Sequence, residues 1–201
     1  MDTTDTTPVT ELHAAVLGMD VVSFSTLPEG AQLAAIQNLL EWVEGAITFY
    51  RMGSQDYRWS PAGDGGYLTL KTPSSSERAL DVALKILERS LDLTWTGAPQ
   101  IQLRFGLHAG TVVEAKELGR GTNIWGDGIN TAARVLSICT PSQVLASENY
   151  YNSYIKGKQR ETAFNFGNPY CRTVKHGKQV WVRNVWRENL GVVDNTANAH
   201  R

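Results

Sequence analysis

Apolar residues fall into short runs and helical stripes that alternate along the chain. Ala14-Ala15-Val16-Leu17-Gly18-Met19 is a continuous apolar run that stops at Asp20, the pattern of a buried strand delivering a carboxylate at its C-terminal end. Pro28 and Glu29 then open a helix, and Leu33, Ile36, Leu40, Val43 and Ile47 recur at i, i+3 and i+7, which predicts one buried face. From Asp56 to Lys71 two strand-like runs flank Pro61-Ala62-Gly63-Asp64-Gly65-Gly66, and Asp-Gly between strands predicts a hairpin. Ser74-Ser75-Ser76-Glu77 reads as a capping box ahead of a second helix with Ala79, Ala83, Ile86 and Leu87 inward. The alternation of Ile101 to His108 predicts a further strand. This β-α-β-β-α-β order is the split βαβ, ferredoxin-like plan of an α+β fold. Beyond it, Asp127 to Ile138 reads as a helix with Ile129, Ala132, Ala133 and Leu136 inward, Gln143 to Ala146 as a strand, and Val180 to Trp186 as a late strand. Polar residues 1–9 read as a flexible lead and 189–201 as a tail, leaving one folded domain over 10–188.

Composition narrows the function. With 201 residues the chain fits one domain, and 42% hydrophobic residues suffice for a packed core. Lys and Arg at 19 against Asp and Glu at 20 leave a net charge of −1, which lacks the excess cation that a nucleic-acid backbone demands. Two cysteines, Cys139 and Cys171, form neither a CxxC pair nor a disulfide framework. The start lacks a basic and apolar leader, and no run reaches the roughly 18 apolar residues that span a bilayer. The expectation is a cytoplasmic protein with no membrane and no nucleic-acid partner.

Phosphate loops, zinc helices and nucleophile elbows are absent, and His13, His108, His176 and His200 lack metal-ligand spacing. What remains is a pair of aspartates at turns. Asp20 precedes Val21-Val22-Ser23-Phe24-Ser25-Thr26, a strand-to-helix turn whose backbone N–H groups suit phosphate oxygens. Asp64 sits at the hairpin tip, beside the first strand in a ferredoxin-like sheet. Taken singly, Asp64 is an ordinary turn residue and Asp20 an ordinary cap. Taken together, two carboxylates beside a phosphate-competent turn suit Mg²⁺ or Mn²⁺.

These residues resemble the class III nucleotide cyclases, the adenylate and guanylate cyclases. Val16 to Ser25 looks like that family's first metal segment and Gly63-Asp64-Gly65-Gly66 like its second, while Arg104-Phe105-Gly106-Leu107-His108-Ala109-Gly110 resembles its central strand. Ile124-Trp125-Gly126-Asp127-Gly128-Ile129-Asn130-Thr131-Ala132-Ala133-Arg134, followed by Pro141 to Ser147, is the most specific match. The resemblance implies a homodimer with composite active sites. Asp20, Asp64 and the Val21 carbonyl of one protomer would hold two divalent metal ions, and Ser23, Phe24 and Ser25 would receive phosphate. Asn130 and Arg134 of the other, four apart and hence on one helical face, would position the ribose and stabilise the transition state. A cation for the terminal phosphates falls to Lys175 or Lys178, a register that the sequence leaves open.

The positions that read a purine in that family, Lys and Asp in adenylate cyclases or Glu and Cys in guanylate cyclases, are Ser60 and Asn123 here. Both are short and uncharged. Tyr50, in Phe49-Tyr50-Arg51, either narrows a pocket for a pyrimidine or is a core aromatic at a helix end. A cyclase with neither purine code resembles the pyrimidine cyclases of bacterial Pycsar antiphage systems, whose product is an alarm signal. For Asn123, uracil O4 would accept from the amide while cytosine N4 would donate to it, and the amide can flip. The expected substrate is UTP, with CTP, then ATP or GTP, as alternatives. The rivals from other classes are a non-catalytic nucleotide-binding module and a diguanylate-cyclase or polymerase-like palm. The intact set of Asp20, Asp64, Asn130 and Arg134 argues against the first, and the missing Gly-Gly-Asp/Glu-Glu-Phe run against the second.

Overall fold

A computed structural model describes residues 9–72, 74–92, 101–117, 121–157 and 164–191. Its elements are β1 (Thr10–Val21), α1 (Glu29–Phe49), β2 (Tyr57–Ala62), β3 (Gly65–Leu70), α2 (Ser75–Ser90), β4 (Leu103–Glu117), β5 (Gly121–Trp125) and α3 (Asp127–Ser137), then β6 (Val144–Ser147), α4 (Glu148–Gly157), β7 (Asn165–Phe166), β8 (Tyr170–Thr173) and β9 (Gln179–Trp186). The described strands form one sheet in the order β2-β3-β1-β4-β6-β9-β7, with β5 on β4 and β8 on β9. The first four strands are mutually antiparallel, β6 joins β4 in parallel, and the βαββαβ core is as expected.

The apolar run of β1 is explained by its place between β3 and β4, covered on both faces. Ala15, Leu17, Met19 and Val21 point into the larger core beneath α1, α2 and α4, while Ala14 and Val16 meet α3 residue Ala132 on the other face. Asp20 therefore points to the α3 face. Continuous burial on both sides is what a central strand requires.

Helix α1 buries Val43 and packs Ile47 against the core as expected, but the rest of its buried face differs. Ala35, Leu39, Trp42, Val43 and Ala46 are buried, whereas Leu33 is 62% exposed and Leu40 38%. The helix carries two apolar stripes one residue apart, and the one with small alanines beside Trp42 packs against the sheet. In α2 the expected Ala79, Ala83, Ile86 and Leu87 are all buried. Its capping box does not form: the Ser74 side chain makes no cap bond, and Ser76 instead bonds Ser153 of α4 at 2.9 Å. Tyr150 of α4 donates to the Ser76 carbonyl and is fully buried with Tyr154 close to it.

Strand β4 runs nine residues past the expected end and folds back into β5. The expected lead 1–9 falls outside the described residues except for exposed Val9, and of the tail only 189–191 is described. Leu190 is 7% exposed in the larger core, and its N–H donates to the Arg187 carbonyl at 3.0 Å. The packed domain thus continues beyond residue 188.

The β2–β3 hairpin turns at Gly63-Asp64, one residue earlier than the Asp64-Gly65 expected, with Gly63 at φ 60 and Ala62 opposite Gly65. Glycine at the first central position is what this tight turn favours. Gly65 lies opposite Asp20 in β1, and a Cβ there would sit 2.0 Å from the Met19 carbonyl oxygen and 2.8 Å from the Asp20 Cα. That approach seats the hairpin tip against the end of β1. Gly65→Ala is expected to cost about 2 kcal/mol or more, a Tm drop of roughly 4–8 °C in a thermal melt, because backbone must move. An unchanged Tm would show that the two strands can separate freely.

Candidate active site

At the end of β1, Asp20 pairs across to Gly65 on one side and Arg104 on the other. The Val21 N–H donates to the Asp64 carbonyl at 3.3 Å, so Val21 joins the two aspartates through its backbone. Arg104 donates from Nε at 3.0 Å and Nη2 at 2.5 Å to Asp20 Oδ2. The other oxygen, Oδ1, is buried and has no hydrogen-bond partner. Burial pushes the Asp20 carboxyl above its ordinary value, Arg104 opposes this, and the negative charge of Asp64 adds to the rise. An orphaned buried carboxylate oxygen beside a second carboxylate fits a hard divalent cation, which removes both the orphan and the repulsion. Among the described residues no group of three or more His, Cys, Asp or Glu side chains gathers, so such a cation must draw other ligands from water and substrate phosphate.

The turn beyond Asp20 differs from expectation. Phe24–Thr26 form a single 3₁₀ turn, Ser23 has φ 57 with its carbonyl accepting the Thr26 N–H and hydroxyl, and α1 starts only after Pro28. Ser23 and Ser25 are exposed, whereas the Phe24 ring packs into the core. Arg104 is the residue overlooked in the sequence. Its signal was its register opposite Asp20, which strand pairing alone reveals.

On the same face of the sheet, α3 carries Arg134, which donates to Thr131 Oγ1 at 3.2 Å and lies 3.5 Å from Asp127. Arg134 and Lys178 line one cleft of about 740 Å³, together with His13, His108, Thr111 and Trp181. Lys175 sits on the neighbouring 3₁₀ turn and does not line it, so of the two lysines Lys178 is the one beside Arg134. Asn130, one turn before Arg134, is exposed. His108 is buried, bonded through Nδ1 to Ser147 Oγ at 2.8 Å, and burial pushes its pKa down to about 4. It is neutral near pH 7.

Along β1 this cleft lies back from the aspartates: its lining residue His108 pairs with Val16, four residues before Asp20 and about 13 Å away at ~3.3 Å per residue, and His13 pairs with Thr111 seven residues before it, about 23 Å away. The expected base readers, by contrast, meet directly. Ser60 Oγ donates to Asn123 Oδ1 at 2.5 Å, and the Ile124 N–H donates to the same oxygen at 2.8 Å. Tyr50 is not with them: its hydroxyl donates to the Asp81 carbonyl at 3.3 Å, its ring lies under Arg78, and it packs into the core on the opposite side of the sheet. Within the chain Tyr50 packs as an aromatic at a helix end, apart from Ser60 and Asn123.

Sheet order, aspartate corner and α3 together define a nucleotide cyclase catalytic domain. The family model described as Adenylate and Guanylate cyclase catalytic domain matches residues 12–181, and the chain belongs to that family. Among solved structures it is similar to the guanylate cyclase domain of RhGC from Catenaria anguillulae in complex with GTP, at 19% identity and TM-score 0.73 over 90% of this chain and 100% of that one. The adenylyl cyclase CyaB from P. aeruginosa matches at 14% identity and TM-score 0.70 over 92% and 100%. A non-canonical dimeric guanylyl cyclase domain of the RhoGC fusion protein from the aquatic fungus Blastocladiella emersonii matches at 19% identity and TM-score 0.68 over 90% and 98%. No curated protein matches in sequence. No described helix is long and apolar enough to cross a membrane.

The raised carboxyl of Asp20 has a stability consequence. Its folded pKa lies above the ordinary 3.8, so its contribution to stability is fully present below that value and is lost as pH rises through the folded one. Asp20→Asn, which stays neutral, is expected to melt at or above the wild-type Tm at pH 7, the difference shrinking as pH falls toward 3.8. A lower Tm at pH 7 would show that the Arg104 pair outweighs burial and repulsion.

Proposed function

We propose that the chain is a metal-dependent pyrimidine nucleotide cyclase, converting UTP to 3′,5′-cyclic UMP and pyrophosphate as a homodimer. The observation that carries this reading is the division of the site: an aspartate corner with an orphaned oxygen at one end of β1, and Arg134 with Lys178 in a separate cleft that lies four to seven residues back along the strand. Neither half suffices for the chemistry alone, and a second copy supplies the missing half to each. Asp20 and Asp64, with the Val21 carbonyl, would hold two Mg²⁺ or Mn²⁺ ions, which lower the pKa of the ribose 3′-hydroxyl and neutralise phosphate charge.

The remaining roles belong to side chains. The ribose 3′-hydroxyl gives up its proton to water, its oxygen forms a bond to the α-phosphorus, the bond from that phosphorus to the bridging oxygen breaks, and pyrophosphate departs with the electron pair. Arg134 of the second protomer faces the charge that develops on the α-phosphoryl oxygens, and Asn130 orients the ribose. Lys178 takes the terminal phosphates. Arg104, already bonded to Asp20 and partly exposed, is placed to share its remaining N–H groups with phosphate beside the metal ligands. Ser23, Phe24 and Ser25 offer backbone N–H groups on the adjoining turn.

Pyrimidine over purine is supported by Ser60 and Asn123, which lack the long or charged groups that pair with purine edges in the resembled adenylate and guanylate cyclases. Buried base groups left unpaired would cost about 1–3 kcal/mol each. This keeps the resemblance to the Pycsar cyclases and its corollary, a second messenger made as an antiphage alarm.

Incubation of the purified chain with each of the four nucleoside triphosphates and Mn²⁺, followed by chromatography, is expected to yield cyclic UMP, to stop with EDTA and to resume with added metal. Asp64→Ala is expected to lower the rate beyond the ~10–100-fold that outer-shell changes cost, with folding retained because the residue lies in a hairpin turn. Conversion confined to ATP or GTP would contradict the pyrimidine assignment, and full activity in Asp64→Ala the metal assignment.

A further inference from the structure

Resting on the cyclase reading, we propose that Ser60 is a positioning residue which, with the Ile124 N–H, locks the Asn123 amide as a donor and so selects a base with a keto oxygen at the position it reads. Asn123 Oδ1 accepts two hydrogen bonds, from Ser60 Oγ at 2.5 Å and from the Ile124 N–H at 2.8 Å. The two partners differ in what they permit. A hydroxyl can donate or accept, but a backbone N–H only donates, so the amide atom facing Ile124 must be the oxygen. A flipped amide would set its NH₂ against that N–H and forfeit the bond. The Asn123 NH₂ is therefore the group turned away from the pair and left for a base.

The lock is braced. Ser60 is 8% exposed on β2, and Asn123 lies on β5, strands that are not paired with each other. A second tie joins the same two strands: Arg58 Nη2 donates to Thr122 Oγ1 and to Glu114 Oε1 at 3.0 Å each, while Lys71 reaches Glu114 at 3.3 Å. Arg58 precedes Ser60 by two residues on the same face of β2, and Thr122 directly precedes Asn123. The β2–β5 closure that orients the amide is thus held at two points.

A donor-only amide group discriminates by chemistry rather than ring size. Uracil presents O4, an acceptor, and gains a bond; cytosine presents the N4 amine, which meets donor with donor. The same rule ranks guanine O6 above adenine N6. Loss of a paired polar group in a site built for it is the larger form of specificity, while size alone discriminates weakly.

The test compares kcat/KM for UTP and CTP, with titration calorimetry of the α,β-methylene analogues of both, in wild type, Ser60→Ala, Ser60→Thr and Asn123→Asp. Wild type is expected to favour UTP over CTP by about tenfold or more. Asn123→Asp, an acceptor only, is expected to lower that ratio at least about tenfold or invert it. Ser60→Ala should lower it with a smaller change in the UTP kcat, and Ser60→Thr, which keeps the hydroxyl, should restore it. Equal handling of UTP and CTP by wild type, or ratios unchanged in both Asn123→Asp and Ser60→Ala, would overturn the lock. If only purines turn over, the pyrimidine reading fails, but the lock is still judged by GTP against ATP, where preference for ATP overturns it. Absence of binding by all four nucleotides or their analogues overturns it as well.

Discussion

Everything at the candidate centre depends on two carboxylates held together where they repel, at the end of a central strand. Charge does not assemble this corner. The backbone does: β1 is paired along its length to β4 and over Ala15–Asp20 to β3, Gly65 admits close contact opposite Asp20, and the Val21 N–H ties to the Asp64 carbonyl. Arg104 offsets part of the repulsion, yet burial still leaves the Asp20 carboxyl above its ordinary value and one oxygen unpartnered. A folded chain that tolerates such a local cost stores it where a divalent cation would relieve it, as functional sites commonly do.

The same strand sets the second constraint. Strand β1 passes both groups, with the aspartates at its C-terminal end and the Arg134–Lys178 cleft four to seven residues back along it. Continuous pairing with β4 fixes that offset within one chain. The proposed homodimer is the simplest arrangement in which both groups would meet, and twofold symmetry would make two such sites at once. Near-neutral net charge agrees with a triphosphate held by local cations rather than by a global field.

Much of this was legible in the sequence because burial pattern and topology reinforce each other. The Ala14–Met19 run is consistent with a buried strand, and the α3 segment and Gly-Asp hairpin resemble motifs of the cyclase family. What escaped depends on tertiary choice. Helix α1 is apolar on more than one side, so which stripe is buried was decided by Trp42 and two alanines. Helix α4 was hidden because Glu148-Asn149-Tyr150-Tyr151-Asn152-Ser153-Tyr154 looks polar, although Tyr150 and Tyr154 fill the core. Tyr50 shows the reverse: a residue near the hairpin in sequence lies across the sheet from Ser60 in space. Arg104 and the Ser60–Asn123 bond were invisible for one reason, since each is a contact between strands distant in sequence.

The claim on which the account turns is that each working site takes its aspartates from one copy and its arginine from another. Co-expression of Asp64→Ala with Arg134→Ala tests it directly, because a mixed dimer has one site lacking both groups and one with both intact. With random pairing, half the dimers are mixed and each has one of two sites, so activity should return to about a quarter of wild type although neither variant is active alone. Activity that stays at the level of the separate variants, in a preparation shown to contain mixed dimers, would contradict the account.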